Sequence, residues 1–274
     1  MLPLSGLLPR SHGHGNDPYG LLRPAFHQLV SVRSGRLRPS VDFVDHELGA
    51  GSWLWIRPGQ VQRFSDDLAA ADGTMVLFLP GFLPPATAAA ARLDPPYTQR
   101  PLRPTGTDAE GLRQALDHLV YESGNMASLP LESHVEVMRN LVSVLTLRLA
   151  GAHTVHGPAS RRTPAGETFR RFHEAVERDH AVTRRVEDYA AALGYSPRTL
   201  SRVTLAATGV TPKKYIDGRV LLEAKRLLQH SGLPANAVAE RLGFMDASDF
   251  NKFFRRREGT TPGAFRFQAL GAGR

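Results

Sequence analysis

The chain has 274 residues, 42% hydrophobic and 22% charged, which suits two packed domains and excludes a disordered chain. It has no cysteine, so disulfides and thiolate metal sites are excluded. The net charge of +8 is lopsided: residues 1–158 hold 13 Arg/Lys against 14 Asp/Glu, and residues 159–274 hold 21 against 12. A polyanionic partner for the carboxyl-terminal part follows, because neutralising phosphates releases condensed counterions.

Residues 1–21 are rich in Gly, Pro and His and are expected to form a mobile leader. The apolar patch from Leu2 to Leu8 is short and has no basic lead, so no signal peptide is expected. No run approaches the length of a membrane span. The expectation is a cytoplasmic protein without a membrane partner. Short β-rich runs follow, from Phe26 to Val32, Arg36 to Val44, Trp53 to Ile56, Val61 to Phe64 and Thr74 to Leu79. Gly and Pro punctuate them, which predicts a small barrel or sandwich.

Prolines limit regular structure between Pro80 and Thr107, apart from a short helix from Ala86 to Leu93. From Asp108 the pattern is helical. Leu112, Ala115, Leu116, Leu119 and Val120 share one stripe. After Pro130 a second stripe runs through Leu131, Val135, Met138, Leu141, Val142, Leu145 and Leu149, about five turns at 3.6 residues each. The preceding strands offer too little cover for both helices, so residues 108–150 are expected to form a dimer seam, with packing inside the domain as the alternative. Residues 151–166, with Pro158, Arg161, Arg162 and Pro164, read as a linker.

The last third contains one phrase twice. Leu193-Gly194-Tyr195-Ser196 and Leu242-Gly243-Phe244-Met245-Asp246 lie 49 residues apart, and Thr211-Pro212 and Thr261-Pro262 lie 50 apart. Each copy runs a short helix into Gly, turns, and starts a second helix, as a helix-turn-helix does. Ser196 and Asp246 suit the N-cap, Pro197 suits the first helical position, and Gly209 and Gly259 suit the left-handed stop. Tyr195 and Met245 are placed to staple onto Leu200 and Phe250.

On the first of these helices Leu200, Val203 and Ala207 form the inner side. On the second, Phe250, Phe253 and Phe254 do. The opposite faces supply Arg198, Ser201, Arg202, Ser248, Asn251 and Lys252 as candidates to reach base edges. Ser196, Thr199, Arg255, Arg256 and Arg257 are candidates for phosphate contacts. A helix from Pro212 to Ser231 separates the copies and is about 30 Å long at 1.5 Å per residue. That approaches the ~34 Å between successive major-groove windows.

Residues 186–266 resemble the DNA-binding domain of the AraC/XylS family of transcription regulators. The resemblance rests on Ala192-Leu193-Gly194-Tyr195-Ser196, Leu200-Ser201-Arg202, Thr208-Gly209-Val210-Thr211-Pro212, Ala224-Lys225-Arg226-Leu227-Leu228, Ala239-Glu240-Arg241-Leu242-Gly243-Phe244 and Gly259-Thr260-Thr261-Pro262. It implies two helix-turn-helix units, the first being the more sequence-reading, with double-stranded DNA and RNA polymerase as partners and activation as the outcome. Thr204 and Leu205 stand where the family often has Phe-Lys. A weaker resemblance, from Gly49 to Phe64, is to the cupin-type sensor domain of the same family. It implies a small-molecule effector, with Gln28, Trp53, Trp55 and Gln62 as candidate pocket residues, a plain barrel core being the other reading of Trp53 and Trp55. Gln62 occupies a place where that domain often has His, so no metal is expected.

The expected fold is α+β in two domains: a cupin-like β-barrel with following helices, then an all-α double helix-turn-helix. Residues 22–107 would be the sensor, 108–150 the dimerisation segment and 167–270 the DNA-binding domain. The expected function is a homodimeric, sequence-specific transcription regulator with no catalytic residues and no cofactor. A cupin-type enzyme and a nonspecific architectural DNA-binding protein are the alternatives.

Overall fold

The computed structural model describes residues 1–4, 21–64, 66–91, 101–125, 129–156 and 164–271. The chain divides into two units, residues 1–159 and 160–274, and the fold is α+β.

The amino-terminal unit contains β1 (Leu2–Pro3), β2 (His27–Ser34), β3 (Ser40–Val41), β4 (Val44–Asp45), β5 (Trp53–Ile56), β6 (Gln62–Arg63) and β7 (Asp72–Phe78). They form two open antiparallel sheets, ordered β1-β7-β2-β5 and β4-β3-β6. The expected barrel therefore does not close among the described residues. One cause lies in the run from Arg36 to Val44, expected as a single strand. Asp42 and Phe43 adopt positive φ (51° and 67°) and fold it into a hairpin between β3 and β4. The Asp42 carboxylate holds this bend by accepting from the Val61 backbone N–H (3.1 Å) and from Gln60 Nε2 (2.7 Å). The start of the leader is also ordered: β1 pairs with Met75 and Thr74, and Leu4 is buried.

The larger sheet is covered on both faces, which explains why all four residues of β5 are buried. Val30, Leu54, Ile56 and Met75 pack toward the smaller sheet, with Val41 and Phe64. Leu29, Trp53, Trp55 and Phe78 pack toward the helices. Those helices are α1 (Pro85–Ala90), α2 (Gly106–Gly124) and α3 (Leu131–His156). Leu112, Leu116 and Leu119 of α2 and Val142, Leu145 and Leu149 of α3 complete that core. Much of the stripe expected at a dimer seam is thus spent on the sheet. Leu131, Val135, Val144 and Leu147 of α3 and Tyr121 of α2 stay exposed. The expected linker is shorter than its assigned span, because α3 continues to His156 and the next helix starts at Pro164. Pro158, Arg161 and Arg162 lie outside the described residues.

Among the described residues the carboxyl-terminal unit is all helix: α4 (Pro164–Asp179), α5 (Val186–Leu193), α6 (Pro197–Thr208), α7 (Pro212–His230), α8 (Ala235–Arg241), α9 (Ala247–Glu258) and α10 (Pro262–Gly271). Phe169, Phe172 and Val176 of α4 pack with Tyr189 of α5, Leu200 and Val203 of α6, and Tyr215 and Ile216 of α7. Further along α7, Val220, Ala224, Leu227 and Leu228 are buried, as are Val238 and Leu242 of the α8 segment. Phe244, Phe250, Phe254 and Phe265 form a chain of ring contacts there, with centroids 5.3, 5.9 and 5.5 Å apart.

Candidate nucleic-acid interface

The sequence repeat is reproduced bond by bond. Gly194 and Gly243 both take φ 71°. In each turn the next residue donates back into the preceding helix: Tyr195 N–H to Ala190 C=O (2.9 Å) and Phe244 N–H to Ala239 C=O (3.0 Å). These contacts satisfy carbonyls that a helix end leaves open. Ser196 then caps α6 by accepting from Thr199 N–H (3.1 Å), and Asp246 caps α9 by accepting from Asp249 N–H (2.7 Å). Gly209 and Gly259 end the two helices in the left-handed conformation. Thr211 and Thr261 cap the helices that follow, at 3.3 and 3.2 Å.

This scaffold leaves one polar face of each helix in solvent. Arg198, Ser201 and Arg202 of α6 are exposed, and so are Ser248, Asn251 and Lys252 of α9. Positions 198, 201 and 202 correspond to 248, 251 and 252 at the repeat distance of 50, so the two sets occupy equivalent places. Ser196 is exposed and Thr199 half-buried, their hydroxyls 2.9 Å apart. The exposed Asp249 carboxylate lies 3.6 Å from the Lys252 ammonium and partly offsets it. Arg255 and Arg256 extend from the last turn of α9, where cations complement the helix dipole.

Arg257 is exposed like Arg255 and Arg256 and is also engaged within the domain. Its guanidinium pairs with the Asp217 carboxylate of α7 and lies 4.0 Å from the centre of the Phe253 ring. At 100° per residue, position 257 falls on the inner side with Phe250 and Phe254. Asp217 was not singled out from sequence, although a helical wheel of α7 places it on the inner side beside Val220 and Ala224. Two other expectations also change. Ala207, expected inside, is exposed. Met245 does not staple, being 94% exposed, because Phe244 takes the space against Phe250. Thr204 is fully buried and its hydroxyl has no hydrogen-bond partner among the described residues, while Leu205 is 55% exposed.

A family model described as a helix-turn-helix domain matches residues 189–268. The carboxyl-terminal unit carries an AraC-type helix-turn-helix domain. The AraC-type domain is 38% identical over 76 residues to RhaS of Klebsiella pneumoniae, an HTH-type transcriptional activator, covering 28% of this chain and 27% of RhaS. The HTH-type transcriptional regulator YisR of Bacillus subtilis is 28% identical over 155 residues, covering 57% of this chain and 50% of YisR. The chain thus spans about a quarter to a half of the length of these relatives. The crystallised DNA-binding domain of AdpA, a global transcriptional factor in complex with a target DNA, is 31% identical, covers 40% of this chain and 95% of that one, and superposes with a TM-score of 0.35.

The four candidate effector residues do not converge. Trp53 and Trp55 lie in the core on the helix side of the larger sheet. Gln28, in register with Ile56, and Gln62, in register with Val41, belong to the side between the sheets. On the helix side, Trp55 Nε1–H donates to His27 Nδ1 (3.3 Å), and the imidazole stacks on Phe78 at 4.7 Å. Burial first, and then the Arg57 charge, lower the His27 pKa to about 4, so the ring is neutral at pH 7. Among the described residues no group of three or more His, Asp or Glu could hold a metal ion. No helix among them is long and apolar enough to cross a membrane.

Proposed function

We propose that the chain is a sequence-specific DNA-binding transcription regulator whose two readers are α6 and α9. The observation that carries this reading is the pair of equivalent, capped helices with solvent-facing polar sides in a net-positive AraC-type domain. Arg198, Arg202 and Lys252 suit guanine, Asn251 suits adenine, and Ser201 and Ser248 suit either. Ser196, Thr199, Arg255 and Arg256 are proposed to position the backbone, and Arg257 leaves that set. The 19 residues of α7 give a rod of about 28 Å, close to the ~34 Å repeat of the major groove.

Similarity to RhaS, described as an activator, supports activation, with RNA polymerase as the proposed protein partner. We assign the amino-terminal unit, in the manner of a cupin-type sensor, to small-molecule binding and dimerisation. Tyr121, Val144 and Leu147 are the exposed apolar residues proposed for the dimer contact. An effector would act by favouring one of two states for which it has different affinities.

Selection of duplexes from a random pool by the full-length chain tests this reading. The expected result is one enriched site whose affinity falls with salt at a log–log slope of about −0.9 per phosphate neutralised. Arg202→Ala should cost about 1–3 kcal/mol at one base pair and relax the preference there. Equal binding of all sequences would return the chain to the architectural alternative. Stoichiometric metal in the purified protein would favour the enzyme alternative.

A further inference from the structure

We propose that Asp217 is the positioning residue that locks the second reader to the first, so that the chain accepts its two half-sites at a single spacing. The inference rests on the reading of α6 and α9 as DNA readers. Asp217 lies in the first half of α7, and its side chain is only 5% exposed. A carboxylate so buried is costly unless it is paired. Its two oxygens are divided between two elements. Oδ1 accepts from Lys213 Nζ at 2.7 Å, and Oδ2 accepts from Arg257 of α9.

Each cation reaches onward. Lys213 Nζ also donates to the Arg184 backbone carbonyl (3.1 Å), in the segment that leads into the first helix-turn-helix. The Arg184 guanidinium lies 3.7 Å from the centre of the Phe244 ring, at the turn of the second. It also donates to the Leu242 carbonyl at 3.4 Å. At the same place Gly243 meets the Ala181 carbonyl so closely that a Cβ would lie 2.0 Å from its oxygen. Arg257, for its part, holds Phe253 by its ring face. Asp217 is therefore the shared anion of a web joining the approach to α5, the start of α7, the turn before α9 and the last turn of α9.

The far half of α7 has its own ties to the second unit. Lys225 pairs with Glu258 at 2.9 Å, and Arg266 donates to the Leu228 carbonyl at 2.8 Å. Two points of attachment along one rod fix an orientation, and a single point leaves a pivot. Without the Asp217–Arg257 bond the near attachment keeps only the Arg184 and Ala181 contacts, and the second unit, still folded on α7, rocks more freely about the far ties.

The test uses the duplex enriched by the full-length chain and two relatives of it, with the spacer between the footprinted halves lengthened or shortened by one base pair. One base pair moves the second half by about 3.4 Å and about a tenth of a turn. Wild-type affinity is expected to fall about tenfold or more on either change, the scale of losing a good base contact. Asp217→Asn and Arg257→Met are expected to lose less than about threefold, less than the tenfold step of 1.4 kcal/mol, while protecting the first half as wild type does. Arg257→Met leaves Asp217 paired with Lys213, so it carries the test if Asp217→Asn does not fold. Destabilisation alone would lower affinity for all three duplexes equally and keep the spacing penalty. The proposal is overturned if the folded variants keep that penalty, or if wild type tolerates both spacings. A chain that enriches no site overturns the regulator reading, and this inference with it.

Discussion

The two helix-turn-helix units share their turns and differ in their cores. At the repeat distance of 50, Leu200, Val203 and Thr204 of α6 correspond to Phe250, Phe253 and Phe254 of α9. The second unit fills its interior with its own rings, from Phe244 to Phe265. The first has no aromatic residue on α6 and takes that volume from elsewhere. Phe169 and Phe172 of α4, Tyr189 of α5 and Tyr215 of α7 close around Leu200 and Val203. Phe172 meets Tyr189 edge-on at 5.8 Å, and Phe169 meets Tyr215 at 5.5 Å. A duplicated backbone motif thus tolerates different interiors when a neighbouring element supplies the missing volume. The consequence is that α4 is part of the foundation of α6, although it lies outside the repeat.

Substitutions in equivalent places break the comparison most sharply at the two turn glycines. Both have φ 71°, which costs any other L-residue about 1–2 kcal/mol. Gly194 has open space around a notional Cβ, whereas Gly243 abuts the Ala181 carbonyl. Gly194→Ala is expected to cost only that conformational penalty. Gly243→Ala adds overpacking against backbone, for about 2–5 kcal/mol in all. Denaturant unfolding of the two variants measures the difference, and equal losses would remove the close contact from the account.

Phe172→Ala probes the borrowed core. The side chain is fully buried, and such truncations cost about 3–5 kcal/mol. Because α4 supports α6 rather than α9, footprinting near the melting midpoint should show protection of the first half-site fading before the second. Simultaneous loss would mean that the two units unfold as one.

Thr204 gives a smaller effect of opposite sign. Its hydroxyl is buried without a partner among the described residues. Replacing an unpaired buried polar group by an apolar one of the same shape is neutral or stabilising. Thr204→Val is expected to gain about 1 kcal/mol, read as a higher Tm. Thr204→Phe, which copies the second unit, is expected to destabilise, because Thr204 is already fully buried and a ring there overpacks the core.

These contrasts show what was legible in the sequence. The turns were, because Gly, cap residue and Pro act over four or five residues and their spacing is itself the signal. Leu200, Phe250 and Phe254 were placed inside by helical period alone. The partners of those residues were not, since nothing local ties Phe172 to Leu200. Arg257 was read as surface charge because it stands in a run of three arginines, and it is exposed, but its bond to Asp217, 40 residues away, leaves no local mark. The bend at Asp42-Phe43 was missed for a related reason. A non-glycine residue at positive φ leaves no compositional mark, and the bond from Val61 that supports Asp42 comes from 19 residues away.

The smallest expected effect concerns the outer faces. At the repeat distance, Leu205 and Ala206 of α6 correspond to Arg255 and Arg256 of α9. All four are exposed. The late turns of α9 therefore present two cations where those of α6 present none, so on the proposed reading α9 should anchor while α6 discriminates through Arg198 and Arg202. Leu205→Lys gives the first helix an anchor. It should raise affinity for every sequence alike and steepen the salt slope by about 0.9, the increment for one added phosphate contact. Discrimination at the base pair proposed for Arg202 should be unchanged, since phosphate contacts carry no sequence information. An altered preference at that base pair would place Leu205 at a base edge instead and end the division between a reading helix and an anchoring one.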